Sequence, residues 1–287
     1  MAPDLAAVVV DNASSDGTLS LLRMRAGIQV IANDRNRGFA AAVNQGIRAT
    51  TAEHLLLLNP DARLRTPLAA LIDACGRYGL AAGKLTGDDG LPQTGFSIRR
   101  FPTPASLIFE LLGINRLWPS NPVNRRYRYL DRDLDESGFV EQPAGAFLMV
   151  RRDVWQELGG LDEAFHPVWF EDVDFCRAAT GAGYQIAYVP QVTAAHTGGH
   201  SIGSLTKRCR ALYWCVSLLR YAAKRFRPLA YRGVCAAAML SSVPRAVSGM
   251  ILDRSLEPVV TYFKIFCFAG RRLVSSRLTL TSGGRDF

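Results

Sequence analysis

The 287-residue chain is 48% hydrophobic and 21% charged, with 25 glycines and 14 prolines. That composition can bury a core and excludes both a disordered segment and a coiled coil. The formal charge of +9 points to an anionic partner, but it is unevenly placed: residues 1–203 hold 19 Lys+Arg against 22 Asp+Glu, and residues 204–287 hold 15 against 3.

The charge step predicts two parts, a mildly acidic domain over 1–203 and a basic tail over 204–287. Residues 6–10 read as a buried strand stopped by Asp11-Asn12, with Ser14 to Gly17 supplying turn and cap residues. A helix over 18–25, a strand at 28–32, a small-residue helix over 38–49 and a buried strand at 54–58 follow. Asn59-Pro60-Asp61 ends that strand, and Pro67 opens a helix to Tyr78. Residues 84–140 carry Pro92, Pro102, Pro104, Pro119, Pro122 and a basic cluster at Arg125, Arg126 and Arg128, and read as an insertion or acceptor-facing loop region. Beyond it come a strand at 146–150, a helix over 154–158 closed by Gly159-Gly160, a helix over 172–181 and strands at 185–189 and 192–195. Short apolar strands alternating with helices predict an α/β domain with a parallel, doubly wound sheet.

Six cysteines show neither a Cys-x-x-Cys pair nor metal-ligand spacing, so reduced, packed thiols are expected. The first residues lack a basic segment and a long apolar run, so no signal peptide is expected, and the best membrane-crossing stretch, 233–243, is half the length a span needs. These features suit a cytoplasmic protein peripheral at the inner face of the cell membrane.

Ligands of open α/β sheets bind beyond the carboxyl ends of the strands. Asp11 and Asp61 both lie there. Carboxylates at two strand ends suit a metal-assisted site, because they repel phosphate unless a cation bridges them; they are equally ordinary strand-ending residues. The run from Gly79 to Leu85 resembles a phosphate loop at a glance, but it has three residues between its glycines and Leu85 where a hydroxyl should bind magnesium. Gly-x-Gly-x-x-Gly and Gly-x-Ser-x-Gly do not occur, and the basic tail holds no nucleic-acid-binding motif.

Trp169-Phe170-Glu171-Asp172-Val173-Asp174 places three carboxylates at a predicted helix start. Acids there complement the helix dipole, while two aromatics beside them also suit a base in a partly desolvated pocket. His196-Thr197-Gly198-Gly199-His200-Ser201 follows a predicted strand, where a His could complete a metal site begun by Asp61.

In chain order, Val9-Val10-Asp11-Asn12-Ala13-Ser14-Ser15-Asp16-Gly17-Thr18, Asn36 to Ile47, Leu58-Asn59-Pro60-Asp61, Gly145 to Arg152, Gly159 to Phe165, Glu171 to Arg177 and His196 with Gly199 and Ser201 resemble the motifs of family 2 inverting glycosyltransferases, rhamnosyltransferase-like branch. The resemblance covers residues 6–203. It implies a GT-A fold, a Rossmann-like, mostly parallel sheet flanked by helices, with a C-terminal basic helical region added. It further implies that Asp11 contacts the nucleotide's base or ribose, that Arg37, Gly38 and Asn59 lie near the nucleotide-sugar, and that Asp61, with His196, holds Mg²⁺ or Mn²⁺. Asp172 would be the catalytic base, with Glu171 the second choice. Asn59 stands where the usual metal motif has its first acid. The favoured donor is dTDP-L-rhamnose, with UDP-hexoses and UDP-galactofuranose as alternatives, and the acceptor is a glycan or polyprenyl-linked saccharide. Family members begin with a further strand, so the chain is expected to lack the first strand of the fold. A truncated, non-catalytic glycan-assembly or membrane-binding module is therefore the rival reading.

In the tail, Lys207, Arg210, Ser217, Arg220, Lys224 and Arg227 fall on one helical face, and Leu212, Cys215, Val216, Leu219, Ala222, Ala223 and Phe226 on the other. Such a helix either packs its apolar face on the first domain or lies in the plane of an anionic membrane surface.

Overall fold

The computed structural model describes residues 5–198, 203 and 205–275. β1 (Ala7–Asp11) and β2 (Ile28–Ala32) pair in parallel as a two-stranded sheet, connected by α1 (Thr18–Arg23). α2 (Phe39–Arg48) packs on β1 where Gly46 lies against the strand: a Cβ there would be 3.2 Å from Val10 Cγ2 and 3.9 Å from Val8 Cγ1.

The larger sheet runs β3 (His54–Leu58), β9 (Phe147–Arg151), β5 (Gly79–Thr86), β10 (Gln185–His196) and β4 (Ala62–Leu64), with β7 (Gly138–Phe139) also paired to β10. Of these pairings, β5 with β10 is parallel, while β3–β9, β5–β9, β10–β4 and β10–β7 are antiparallel. The expected mostly parallel sheet is therefore corrected to a mixed one. β9 returns from the 84–140 excursion and inserts between β3 and β5, so two strands that point the same way are separated by one that points back. Among the described residues no ladder joins β1 to β3, and that break does not by itself establish that a first strand is missing.

The stretch resembling a phosphate loop is in fact β5, buried along nearly its whole length. A Cβ on Gly83 would sit 2.1 Å from the Phe147 ring and 2.4 Å from the Val192 carbonyl, so this glycine serves strand packing. β10 fuses two predicted strands, with an irregularity between Val189 and Thr193 where Pro190 cannot join the ladder.

Residues 84–140 are more ordered than a loop. They contribute β6 (Ile98–Arg99), α4 (Pro104–Leu111), α5 (Ile114–Leu117) and α6 (Pro122–Tyr127) before β8 (Gln142–Pro143) pairs with β6. Pro104 and Pro122 stand in first helical turns, where a missing N–H is harmless. Thr103 caps α4 in a reciprocal box with Ser106, and Asn121 caps α6 by accepting from the Asn124 N–H at 2.8 Å.

α3 (Ala69–Tyr78), α7 (Arg152–Leu158) and α8 (Glu171–Gly181) complete the sheet region. Then come α9 (Lys207–Arg225), α10 (Pro228–Asp253) and α11 (Glu257–Val274). One apolar core runs from Leu148, Val150, Phe165 and Val173 into Leu212, Leu219, Tyr221, Val234 and Phe268, so α9 to α11 pack on the sheet region without a break. Each such side chain contributes about 1.5–3 kcal/mol on burial. The face of α9 assigned from sequence to solvent or lipid also turns inward: Ser217 and Arg220 are buried, and the Ser217 hydroxyl donates to the Val168 carbonyl at 3.0 Å. The middle of α9, Cys215 to Ala223, is buried all round, while Lys207, Arg210, Lys224 and Arg227 of the polar face stay exposed. α10 runs well past the predicted 233–243 stretch and is long and apolar enough to cross a membrane, a test that core helices of soluble proteins also pass.

Candidate active site

β1 delivers Asp11 at its carboxyl end, 5% exposed, with Oδ2 accepting from the Ser14 N–H at 3.3 Å. The next residue organises the rim. Asn12 Oδ1 accepts from the Arg37 N–H at 2.9 Å and from Asn33 Nδ2 at 3.1 Å, while its Nδ2 donates to Asn36 Oδ1 at 2.9 Å and to the Gly38 carbonyl at 3.2 Å. One amide thus holds loop 33–38 against the end of β1, a role that a strand-ending Asn does not announce in sequence. Gly38 has φ +85°, and a Cβ there would lie 2.9 Å from the His166 ring. The Phe39 N–H donates to the Pro167 carbonyl at 2.7 Å. The loop bearing exposed Arg37 is therefore pinned to β1 on one side and to the segment leading into α8 on the other.

Asp61 lies in the turn between β3 and β4, and His196 ends β10. The antiparallel register sets His196 opposite Ala62, which brings the two together. His196 Nε2 is 3.3 Å from Asp61 Oδ1, with side chains 4% and 10% exposed. The contact is close but not aligned as a hydrogen bond, and Nε2 is left buried without a hydrogen-bond partner. Gln93 sets the tautomer. Its Nε2 donates to the His196 carbonyl at 2.6 Å, which turns Oε1 towards His196 Nδ1 at 3.1 Å. In the neutral imidazole, with Nδ1–H bound there, Nε2 is the nitrogen that carries the lone pair. Two electron-pair donors then face each other, an arrangement that a divalent cation resolves. Phe96 stacks on the imidazole at 5.4 Å, with the Arg99 guanidinium 5.5 Å over the Phe96 ring. Gln93 and Phe96 carry no sequence signal for these roles. Among the described residues no three His, Cys, Asp or Glu side chains form a metal cage. A cation held by Asp61 and His196 would take its remaining ligands from elsewhere than the described His, Cys, Asp and Glu side chains. Gly199, His200 and Ser201 of the His motif lie outside the described residues.

The three carboxylates at the start of α8 do three different things. Trp169 and Phe170 precede them with φ +80° and +72°, left-handed backbone costing about 1–3 kcal/mol per residue and held by packing. Phe170 packs on Tyr221 of α9 at 5.4 Å, so it anchors the tail helix; the expected role as a pocket wall does not hold for it. Glu171 is 4% exposed and its Oε2 has no partner; burial, with the Asp172 charge adding to it, holds its carboxyl well above the usual range and favours the neutral acid. Asp172 is half-buried and oriented: Oδ2 accepts from the Gly145 N–H at 2.9 Å and Oδ1 from the Val173 N–H at 2.8 Å. A Cβ on Gly145 would come within 3.1 Å of Asp172 Cβ. Asp174, 5% exposed at its side chain, receives Lys224 Nζ at 2.7 Å and Arg225 Nε at 2.6 Å from α9.

A dipeptide joins two of these groups. Gly145 orients Asp172, and the Ala146 carbonyl accepts from the Asn59 N–H at 3.1 Å, fixing the turn that carries Asp61. On the opposite flank of α2, Asn44 donates to the Leu161 carbonyl at 2.8 Å and accepts from the Leu161 N–H at 2.9 Å. The arrangement offers one reachable carboxylate and, linked to it through Gly145-Ala146, an acid–imidazole pair whose Nε2 has no hydrogen-bond partner.

Residues 2–109 match the family model described as Glycosyl transferase family 2, and residues 118–214 match Glycosyltransferase like family 2. N-acetylglucosaminyl-diphospho-decaprenol L-rhamnosyltransferase of Mycobacterium tuberculosis is 30% identical over 216 residues, 68% of this chain and 67% of that protein. Rhamnosyltransferase WbbL of Escherichia coli is 27% identical over 229 residues, 76% of this chain and 82% of that protein. A mannosyltransferase from Pyrobaculum calidifontis, solved with GDP-Man and Mn²⁺, is 16% identical with TM-score 0.48, covering 95% of this chain and 79% of that one. At that score the likeness is too loose to place a ligand.

Proposed function

The chain belongs to glycosyltransferase family 2, and on that premise we propose that it carries out inverting transfer of a sugar from a nucleotide donor to a glycan or polyprenyl-linked acceptor in cell-surface polysaccharide assembly. It is an enzyme of the glycosyltransferase class. Two relatives named as rhamnosyltransferases favour dTDP-L-rhamnose as donor, and the mycobacterial relative's name, with its diphospho-decaprenol, favours a lipid-linked acceptor.

The observation that carries the chemistry is the division of labour in α8. Asp172 is oriented by a backbone N–H and reachable, while Glu171 is buried and protonated, so Asp172 takes the acceptor hydroxyl's proton as that oxygen attacks the anomeric carbon. A single displacement inverts the anomeric centre and needs no protein nucleophile. Asp11 and the Asn12-anchored loop with Arg37 and Gly38 bind the nucleotide, and Asn59 holds the turn that places Asp61. Mg²⁺ or Mn²⁺, when bound by Asp61 and His196, supplies positive charge to the departing nucleoside diphosphate.

The test is turnover across a nucleotide-sugar panel. Asp172→Asn is expected to lower it by about a thousandfold with unfolding temperature and donor binding preserved. Equal turnover by variant and parent would remove Asp172 from the base role. Failure of the parent with every donor would favour the non-catalytic module.

A further inference from the structure

The tail's own architecture names the surface that meets the membrane, deepening the lipid-linked reading above. α10 and α11 are joined by residues 254–256 and pack closely on each other, as an antiparallel helical hairpin does. Their inner faces complete the core: Val234, Cys235 and Ala238 on α10, and Ile265, Phe268 and Ala269 on α11, are all buried. The outer faces are apolar as well. Leu240, Val243, Val247 and Ile251 follow helical spacing on α10, and Leu256, Val260 and Phe263 continue the pattern at the turn and on α11, each at least 46% exposed. The fold does not need this second stripe, since the opposite faces already fill the core. It is also contiguous, unlike the scattered apolar residues of an ordinary surface.

Charge decides what covers it. Arg232 precedes Val243 by eleven residues and Arg271 follows Val260 by eleven, so each lies within about 20° of the stripe at the hairpin's open end. Both are exposed, as is Arg254 at the turn. Of the two acids at the turn, Asp253 is taken up by Lys207 at 2.7 Å, leaving exposed Glu257 as the other. A second copy docking through the same stripe in parallel would set Arg232 and Arg271 against their own counterparts, and an antiparallel one would set them against a turn where exposed Arg254 offsets exposed Glu257. A bilayer with anionic headgroups accepts the apolar stripe and pairs with those arginines together. Spanning is disfavoured by the inner face: crossing would strip Val234 to Ser242 from the core and pull the Arg245 guanidinium from the Leu111 carbonyl, 2.8 Å away.

We infer that the outward stripe of the α10–α11 hairpin lies in the plane of an anionic membrane surface, with α9 and α4 packed behind the hairpin. The test is flotation of the full chain with vesicles of phosphatidylcholine alone and with roughly a third phosphatidylglycerol. The parent is expected to float with the anionic vesicles, and Val247→Ser/Ile251→Ser/Phe263→Ser to bind them at least about tenfold more weakly. Arg232→Gln/Arg271→Gln should lose the preference for anionic over neutral vesicles. All these positions are exposed, and circular dichroism checks that the fold is kept. Three results would overturn the inference: a parent that floats with neither vesicle, a serine variant that floats like the parent, or a parent dimer split by the serine changes, which would make a second copy the occupant. Resistance of the bound parent to alkaline carbonate would overturn the in-plane arrangement in favour of a span. Flotation uses no donor, so failure of the proposed sugar transfer leaves these outcomes readable.

Discussion

Replacing Asp174 by Ala tests whether the tail holds the catalytic helix in place. The carboxylate is 5% exposed and accepts from Lys224 at 2.7 Å and Arg225 at 2.6 Å, while an Arg225 N–H also reaches the Asp174 backbone carbonyl at 2.9 Å. Removing one partner of a buried ion pair typically costs 3–5 kcal/mol, because a charge is left unpaired. Here both cations keep some water, with side chains 32% and 23% exposed, and Lys224 retains Asp162 at 2.6 Å. The expected loss is therefore about 2–3 kcal/mol, read as a lower urea midpoint at unchanged slope. Arg225→Ala should lose less, because Lys224 still answers Asp174. Since Asp174 is two residues from Asp172 in the same first turn, turnover should fall while donor affinity holds. A stability loss below about 0.5 kcal/mol, the size of an exposed pair, would refute the clamp.

Two further outcomes follow from the site. Glu171 keeps its proton when folded and releases it near the ordinary carboxylate value of 4.5 when unfolded, so stability falls as pH rises from there towards the raised folded value. Glu171→Gln should remove that fall and retain activity; stability curves of parent and variant that run parallel between about pH 5 and 8 would contradict the buried, neutral acid. Gln93→Leu removes the group that fixes the His196 tautomer and should weaken Mn²⁺-dependent nucleoside diphosphate binding by about 10–100-fold in calorimetry, with metal-free binding unchanged; equal binding would separate Gln93 from the metal pair.

Much of the fold was legible because strand ends and helix caps are local. The strands ending at Asp11 and Leu58, the helix over Phe39–Arg48 and the start of α8 all follow from periodicity and turn chemistry. Strand direction is not local: Phe147 to Val150 is apolar whichever way it runs, and its place between β3 and β5 depends on pairings 66 to 97 residues away. Prolines misled in the opposite sense, because Pro104 and Pro122 punctuate a chain equally well as loop breakers and as first-turn residues. At the site, the order of motifs picked out Asp61, Asp172 and His196. It could not divide three neighbouring acids into a buried one, an oriented one and an ion-paired one, since Gly145 orients Asp172 from 27 residues earlier and α9 pairs Asp174 from about 50 residues further on.

The same helix changes what the tail's basicity means. Arg220, Lys224, Arg225 and Arg245 point inward, to the Ala164 carbonyl, to Asp162 and Asp174, and to the Leu111 carbonyl. Their charge is spent on joining helices to the sheet region and is withdrawn from any external partner. What remains for an anionic surface includes the exposed arginines around the α10–α11 stripe, Arg232, Arg254 and Arg271. A single excess of cations thus performs two separable tasks, and neutralising the inward set should cost stability where neutralising the outward set costs only vesicle binding. Because α8, α9 and the hairpin share one packed core, a membrane bound at the stripe would stand at a fixed distance from Asp172. That is the geometry an enzyme needs when its acceptor is tethered to the same membrane.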